Sequence, residues 1–179
     1  MVLKLARIVV LTLVVSGLKL LPLSASPSDE SQLKAVFVLN FAKLTEWPAG
    51  GTVDGNTFTI AVLGKAPSAT FNKLLKGQTV HGRAVTVKHI DNVRQVKEPQ
   101  LLYLSDVERQ RLPGILKEVG QQSVLTVSDM TGFCEAGGMI GLIPVQNRLG
   151  FEVNLAAVRK ARLSVSSQLL KLAKTIFGN

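Results

Sequence analysis

The sequence predicts a single α/β domain in which a mixed β-sheet is flanked by helices and ends in an antiparallel hairpin in its C-terminal half. Three observations predict it. Apolar, β-branched runs at 58–63, 101–105 and 124–128 are separated by helical patterns at 67–75 and 113–119, the alternation of a layered α/β fold. After residue 139 the style changes: 139–145 and 149–154 flank Gln146-Asn147-Arg148, a turn-forming trio suited to a hairpin. No repeat, low-complexity tract or proline-rich linker divides the chain.

The elements follow in order. Ser28 or Asp29 can cap a first helix to about Leu44, whose Leu33, Val36, Phe37, Phe41 and Leu44 recur at helical spacing and predict the buried face. Glu46-Trp47-Pro48 and Gly50-Gly51 end it, because a residue before proline disfavours helix and glycine frees the backbone. Phe58–Leu63 is a strand closed by Gly64, and a short helix starts at Pro67. His81-Gly82 precedes an alternating strand over 83–90. The C-terminus reads as a helix at 155–160, an extended 163–165, and a last amphipathic helix capped by Ser166 or Ser167 and carrying Leu169, Leu170, Leu172 and Ile176.

The first 25 residues read as a secretory signal peptide: Lys4 and Arg7, an apolar stretch over 8–18, and Leu23-Ser24-Ala25 at the cleavage edge. The apolar stretch is too short to span a bilayer, which needs about 20 residues. The domain is then 26–179, periplasmic, and within the size of one folding unit. The chain carries a net charge of +9 and stays basic without Lys4, Arg7 and Lys19. Export excludes cytoplasmic DNA binding, and no nucleic-acid partner is expected. The charge suits acidic envelope partners or simply keeps the protein soluble.

Catalytic patterns are missing. His81 and His89 have no cysteine or carboxylate at ligand spacing, so no metal site is read. Cys134 is the lone cysteine and nothing local lowers its pKa. Gly64-Lys65-Ala66-Pro67 lacks the glycine spacing of a nucleotide fingerprint. No enzyme activity and no cofactor is expected. Gly137-Gly138 reads as a backbone requirement for positive φ or close approach. Glu152, between Phe151 and Val153, falls on the face opposite those two, beside Asn154, with Arg148 as its expected salt-bridge neighbour. Trp47 is either a core plug or an interface anchor.

Six blocks in order, Phe41-Ala42-Lys43-Leu44-Thr45-Glu46-Trp47-Pro48, Val62-Leu63-Gly64, Leu125-Thr126-Val127-Ser128-Asp129, Gly137-Gly138-Met139-Ile140, Phe151-Glu152-Val153-Asn154-Leu155 and Ser166-Ser167-Gln168-Leu169-Leu170-Lys171-Leu172-Ala173, resemble the YfiR family. The resemblance implies a periplasmic, often dimeric α/β protein that binds and inhibits the periplasmic sensor portion of an inner-membrane diguanylate cyclase, lowering cyclic-di-GMP and biofilm formation. An outer-membrane or wall-associated lipoprotein is a further candidate partner. The alternatives are an envelope small-molecule sensor or solute-binding module, and a wall-associated scaffold. Family members have a cysteine pair around the Gly-Gly segment, where this chain has Cys134 and Gly141, and a cysteine at the start of the third strand, where it has Pro99-Gln100-Leu101. Cys134 therefore reads as an unpaired packing residue, with an intermolecular disulfide as the alternative. The expected partner surface combines Ile140, Glu152 and Val158, with Trp47 as a further anchor. Its warrant is partly the resemblance and partly an apolar residue after the Gly-Gly turn, an off-face carboxylate and a valine on the next helix.

Overall fold

Alanine at 35 and 42 lets the first helix lie close on its neighbours, and that sets which side it buries. In a computed structural model describing residues 27–48, 56–64, 68–95, 99–120, 122–146 and 148–178, helix α1 (Pro27–Lys43) buries Ala35, Val38, Leu39, Phe41 and Ala42. The face is rotated from the one expected: Leu33 and Val36 are 41% and 46% exposed, since the small alanines take the inner positions. The helix begins at Pro27, so Ser28 and Asp29 fall in its first turn rather than before it. The expected signal peptide, Gly50-Gly51 and the Lys65-Ala66-Pro67 turn lie outside the described residues. Among the described residues no helix is long and apolar enough to cross a membrane.

Beyond α1 the chain runs through β1 (Thr45–Glu46), β2 (Thr57–Leu63), α2 (Ser68–Leu75), β3 (Thr79–Val80), β4 (Arg83–Ile90), β5 (Leu101–Leu104), α3 (Leu112–Val119) and β6 (Leu125–Ser128). It continues with β7 (Ile140–Val145), β8 (Arg148–Asn154), α4 (Leu155–Lys160), β9 (Ser164–Val165), α5 (Ser167–Leu172) and β10 (Thr175–Phe177). Eight strands form one mixed sheet in the order β10-β8-β7-β6-β5-β2-β4-β3. β4, β2, β5, β6 and β7 are parallel, β8 turns back antiparallel to β7, and β10 lies parallel to β8.

The central strands are covered on both sides, which is why they read as unbroken apolar runs. Phe58, Ile60 and Val62 join Tyr103, Val127, Ile140 and Phe151 in a core shared with α1, α2, α4 and α5. Ala61 and Leu63 face the other way, toward Leu112, Ile115 and Val119 of α3 and toward Phe133. The architecture is thus the expected α/β domain, and its β7–β8 hairpin turns at Gln146, with φ of 45°.

Three short strands depart from the sequence reading. Thr45–Glu46 pairs antiparallel with Ser164–Val165, so the stretch expected to end the helix is half of a small ribbon. β3 is joined to β4 by His81 and Gly82, both at positive φ, as a tight two-residue turn requires. Ile176, expected on the last helix, belongs to β10: α5 stops at Leu172 and Lys174 N–H donates to Phe151 O at 2.8 Å, opening parallel pairing with β8. Ser166 caps α5 as read, accepting from Leu169 N–H at 3.1 Å.

Gly137 adopts φ of 100°, and a Cβ on Gly138 would stand 2.2–2.4 Å from the Phe133 ring. That ring is itself buried and cannot swing away. Gly138→Ala is expected to lower stability by about 1–3 kcal/mol through overpacking, read by urea unfolding, with a clear loss of midpoint relative to the parent.

Candidate functional site

Period-two alternation along β8 decides what that strand offers on each side. Phe151 and Val153 point into the core beneath α1, while Glu152 and Asn154 point to the opposite face, under the turn-rich segment 129–138. Asn154 binds this region together. Its Oδ1 caps α4 by accepting from Ala157 N–H at 2.9 Å, and its Nδ2 donates to Cys134 O at 2.8 Å. Sequence reasoning placed Asn154 beside Glu152 but missed both bonds, although an Asn just before the 155–160 helix is an N-cap signal.

The Cys134 thiol is fully buried and donates weakly to the carbonyls of Met139, at 3.6 Å, and Glu152, at 3.5 Å. Burial pushes its pKa up to about 12, the nearby Glu152 charge adds to the rise, and backbone hydrogen bonds at Gly141 and Asn154 oppose it. It therefore stays protonated and unreactive at neutral pH. Burial also raises Glu152, helped by the charge of Glu135 and opposed by hydrogen bonds from Cys134. The Arg148–Glu152 pair is not formed: the hairpin register places Arg148 opposite Val145 and Glu152 opposite Gly141. Glu152 is thus a half-buried carboxylate beside a second carboxylate.

The other expected contact residues do not gather around it. Ile140 and Val158 are both 0% exposed, in the core that includes α1. Ile140 cannot be an apolar anchor here because β7 is an interior strand and Ile140 pairs with Val153, whose side chain faces that core. Val158 lies on the inward side of α4. Trp47 is half-buried, edge-on to Phe58 at 5.2 Å and near His81 at 6.1 Å. Phe58 is on β2, four strands from β8 and so about 19 Å away across the sheet. His81 is held by Thr45 O at 2.8 Å and His89 is near Asn72 Nδ2 at 3.4 Å. Among the described residues no group of three or more His, Cys, Asp or Glu is placed to hold a metal.

A feature absent from the sequence reading is a cavity of about 790 Å³ outside the carboxyl ends of β5, β6 and β7. Its walls come from the first turns of α1, from Asp106, Asp129 and Thr131, and from the hairpin through Leu142, Pro144, Arg148 and Leu149. Lys34, 16% exposed, reaches both Glu30 and Asp129 at 2.7 Å. Burial alone would lower its pKa, yet hydrogen bonds to the two carboxylates outweigh that and raise it. Behind this group, burial and then the charge of Asp129 push the Tyr103 phenol far above its usual range. The residues are scattered over four segments of sequence, so no local motif announces the cavity.

A family model described as YfiR/HmsC-like matches residues 31–174. The chain belongs to the YfiR/HmsC-like family. That family comprises diguanylate cyclase regulators. No curated protein matches the YfiR/HmsC-like chain by sequence. Among solved structures it is similar in fold to the ABC domain from Streptococcus pneumonia crystallised in complex with L-Trp, at 10% identity and a TM-score of 0.56. The match covers 80% of this chain and 62% of that one, so this chain spans less than two thirds of that structure.

The cysteine pair implied by the family resemblance has a geometric counterpart. A Cβ on Gly141 would stand 3.5 Å from Cys134 Sγ, and a disulfide holds a Cβ about 3 Å from the opposing sulfur. Glu152 Cγ and Oε1, at 3.1 Å from the same point, would have to give way. Gly141→Cys is expected to form an intramolecular disulfide on export, seen as a two-dalton mass loss and a blocked thiol. Its oxidised form should be more stable than its reduced form by about 2–3 kcal/mol.

The raised pKa of Glu152 has a definite sign. Above the ordinary carboxylate range the folded state holds this proton more tightly than the unfolded chain, so stability falls as pH rises through the window and the ionised form is a net cost. Glu152→Gln should therefore be at least as stable as the parent at neutral pH, with the advantage shrinking as pH falls from roughly 7 to 4. Urea titrations of both proteins across that range are the check.

Proposed function

We propose that the protein is a periplasmic, non-enzymatic regulator that binds and inhibits the periplasmic sensor portion of an inner-membrane diguanylate cyclase. The observation that carries this reading is the family match over residues 31–174. It is consistent with an exported chain cleaved near Ala25, a working domain of 26–179, and a homodimer as the resting form. The physics required is modest: the regulator restrains the cyclase by binding one sensor conformation better than the other, by no more than the difference in affinity.

The docking surface centres on Glu152 and the adjoining 131–137 segment rather than on Ile140 and Val158. Two features support this centre. Glu152 costs the free chain stability when ionised, and no ion pair to it is found among the described residues. A basic group on the partner would supply what is missing. Glu135, exposed beside it, extends the acidic patch.

The cavity favours a second reading, a small-molecule-responsive module of the envelope, and the two are compatible: a ligand that prefers one state of the regulator would tune the restraint. Ligand shift assays on the isolated protein separate the two.

Glu152→Lys tests the main reading. Lysine would face Glu135 and relieve its repulsion, so the variant is expected to fold and be exported normally. It should fail to capture the membrane cyclase and give raised cellular cyclic-di-GMP with thicker biofilm. Unchanged capture by a folded variant sinks the patch, and a collapse of thermal stability makes Glu152 a structural residue instead.

A further inference from the structure

Positive charge is unevenly placed along the chain, and the fold turns that into a charged sheet edge. Residues 56–90 hold five cations, Lys65, Lys73, Lys76, Arg83 and Lys88, and no Asp or Glu. Lys65 falls outside the described residues. Lys73 is on α2, Lys76 just after it, and Arg83 and Lys88 are on β4. Among the described residues none of these four is in an ion pair.

These elements form one end of the sheet, where β3 is the last strand and covers only the start of β4. Thr79 and Val80 face Ala84 and Arg83, and Val85 N–H donates to Gln78 O at 2.9 Å. There the cover stops, because the chain leading into β3 turns away through Gly77, at φ of 77°. Backbone groups alternate along a strand, and Ala84 N–H donates the other way, to Asn56 O at 3.1 Å. Val87 and His89 therefore point their N–H and C=O groups outward, as Val85 does, while Thr86, Lys88 and Ile90 complete the ladder to β2. Among the described residues nothing pairs with that outward side beyond Val85.

The side chains along this edge suit an added strand of opposite charge. Val85 and Val87 are half-buried, so each keeps apolar surface for a neighbour. Arg83 shares their face, stacked 5.4 Å over Phe58, and Asn72 Nδ2, 3.4 Å from His89 Nε2, brings α2 beside the end of the strand. Lys88 is exposed on the opposite face, so cations flank the edge on both sides of the sheet. A lysine on an edge strand discourages pairing with a second copy of the same edge, because like charges would meet. It favours an acidic strand for the same reason, since opposite charges across a strand pair stabilise it.

We propose that the open edge of β4 is a docking site for an extended, acidic segment of a partner protein, which adds an antiparallel strand in line with β3. Main-chain hydrogen bonds to Val87 and His89 hold it, and its carboxylates meet Lys88 on one face and the α2 lysines on the other. The edge lies five strands from β8, about 24 Å across the sheet. The inference thus goes beyond the Glu152 surface and does not depend on it.

Capped seven-residue peptides are the probes, titrated by calorimetry and by amide chemical shift into the exported protein. One alternates glutamate and valine, the second replaces glutamate with lysine, and the third is the glutamate peptide with all its backbone nitrogens methylated. The first is expected to bind saturably, about tenfold or more tightly than either of the others, and to weaken as salt rises. Shifts should concentrate at residues 76–90, with slower solvent exchange at the Val87 and His89 amides. Lys88→Glu, at an exposed position, should weaken the glutamate peptide about tenfold and admit the lysine peptide. His89→Pro removes one outward N–H while sparing the ladder to β2, and should weaken binding about fivefold. The proposal is overturned by a glutamate peptide that does not saturate, by equal binding of the lysine or methylated peptide, by shifts elsewhere, or by an affinity that survives Lys88→Glu. So it is by a protein that binds phosphatidylglycerol vesicles and leaves the glutamate peptide free. The methylated peptide decides the backbone contact even if His89→Pro fails to fold.

Discussion

Phe37 and Phe41 of α1 meet Phe151 of β8 edge to face, with ring centroids 6.0 and 4.9 Å apart, and Phe37 meets Phe41 at 5.7 Å. This three-ring contact pins the helix over the one long strand that runs against the parallel set. Because side chains alternate strictly along a strand, fixing Phe151 inward also fixes Glu152 and Asn154 outward, and a slip of one residue would exchange them. The carboxylate patch, the Asn154 bonds to Cys134 and to α4, and the pocket of space at Gly141 all follow from that choice of face. So does the cavity: with its middle held on β8, α1 extends its first turns past the end of β6 and brings Lys34 to Asp129.

The two acidic regions of the molecule are handled in opposite ways. At the cavity, Lys34 loses hydration but gains two carboxylates at hydrogen-bonding distance, and the raised pKa says the gain exceeds the loss. That contribution is present at neutral pH and is lost only as pH rises through the folded-state value. At β8, Glu152 is pushed up by burial and by Glu135 and receives only hydrogen bonds from Cys134 in return. The first arrangement stabilises the free chain. The second leaves an unmet electrostatic demand at the surface.

What could be read from the residues alone was whatever depends on local pattern: the apolar runs of β2, β5 and β6, the alternation of β8, the 155–160 helix, the Ser166 cap, and the backbone role of Gly137-Gly138. What could not be read depends on neighbours distant in sequence. The pairing of Thr45–Glu46 with Ser164–Val165, and of Thr175–Phe177 with β8, leaves no period in two or three residues. Ile140 and Val158 look available beside a glycine pair and on a short helix, and become core only because β7 is flanked by β6 and β8 and α4 folds back on the sheet. Arg148 and Glu152 are four apart, a spacing that makes neighbours on a helix but separates them by about 13 Å along a strand. The cavity draws its walls from segments over a hundred residues apart.

The departure from the family's cysteine pattern shows how the same junction is held without a covalent link. Where a second cysteine would project, Gly141 leaves room and the side chain of Glu152 borders it, with Cγ and Oε1 3.1 Å from the place of a Cβ there and the Cys134 sulfur 3.5 Å from the same place. The 131–137 segment is tied to β8 by the Asn154–Cys134 hydrogen bond at 2.8 Å and by the weak thiol contact to Glu152 O at 3.5 Å, each worth about 1 kcal/mol or less, while the other thiol contact runs to Met139 O just ahead of β7. Such a connection opens far more readily than a disulfide, and it is insensitive to the redox state of the compartment because the thiol is held protonated and dry. The segment held this way is also the one that carries Glu135 and borders Glu152. The link needs no cysteine chemistry: because Asn154 holds both Cys134 O and the Ala157 N–H, a shift of its side chain would move the acidic patch and the start of α4 together.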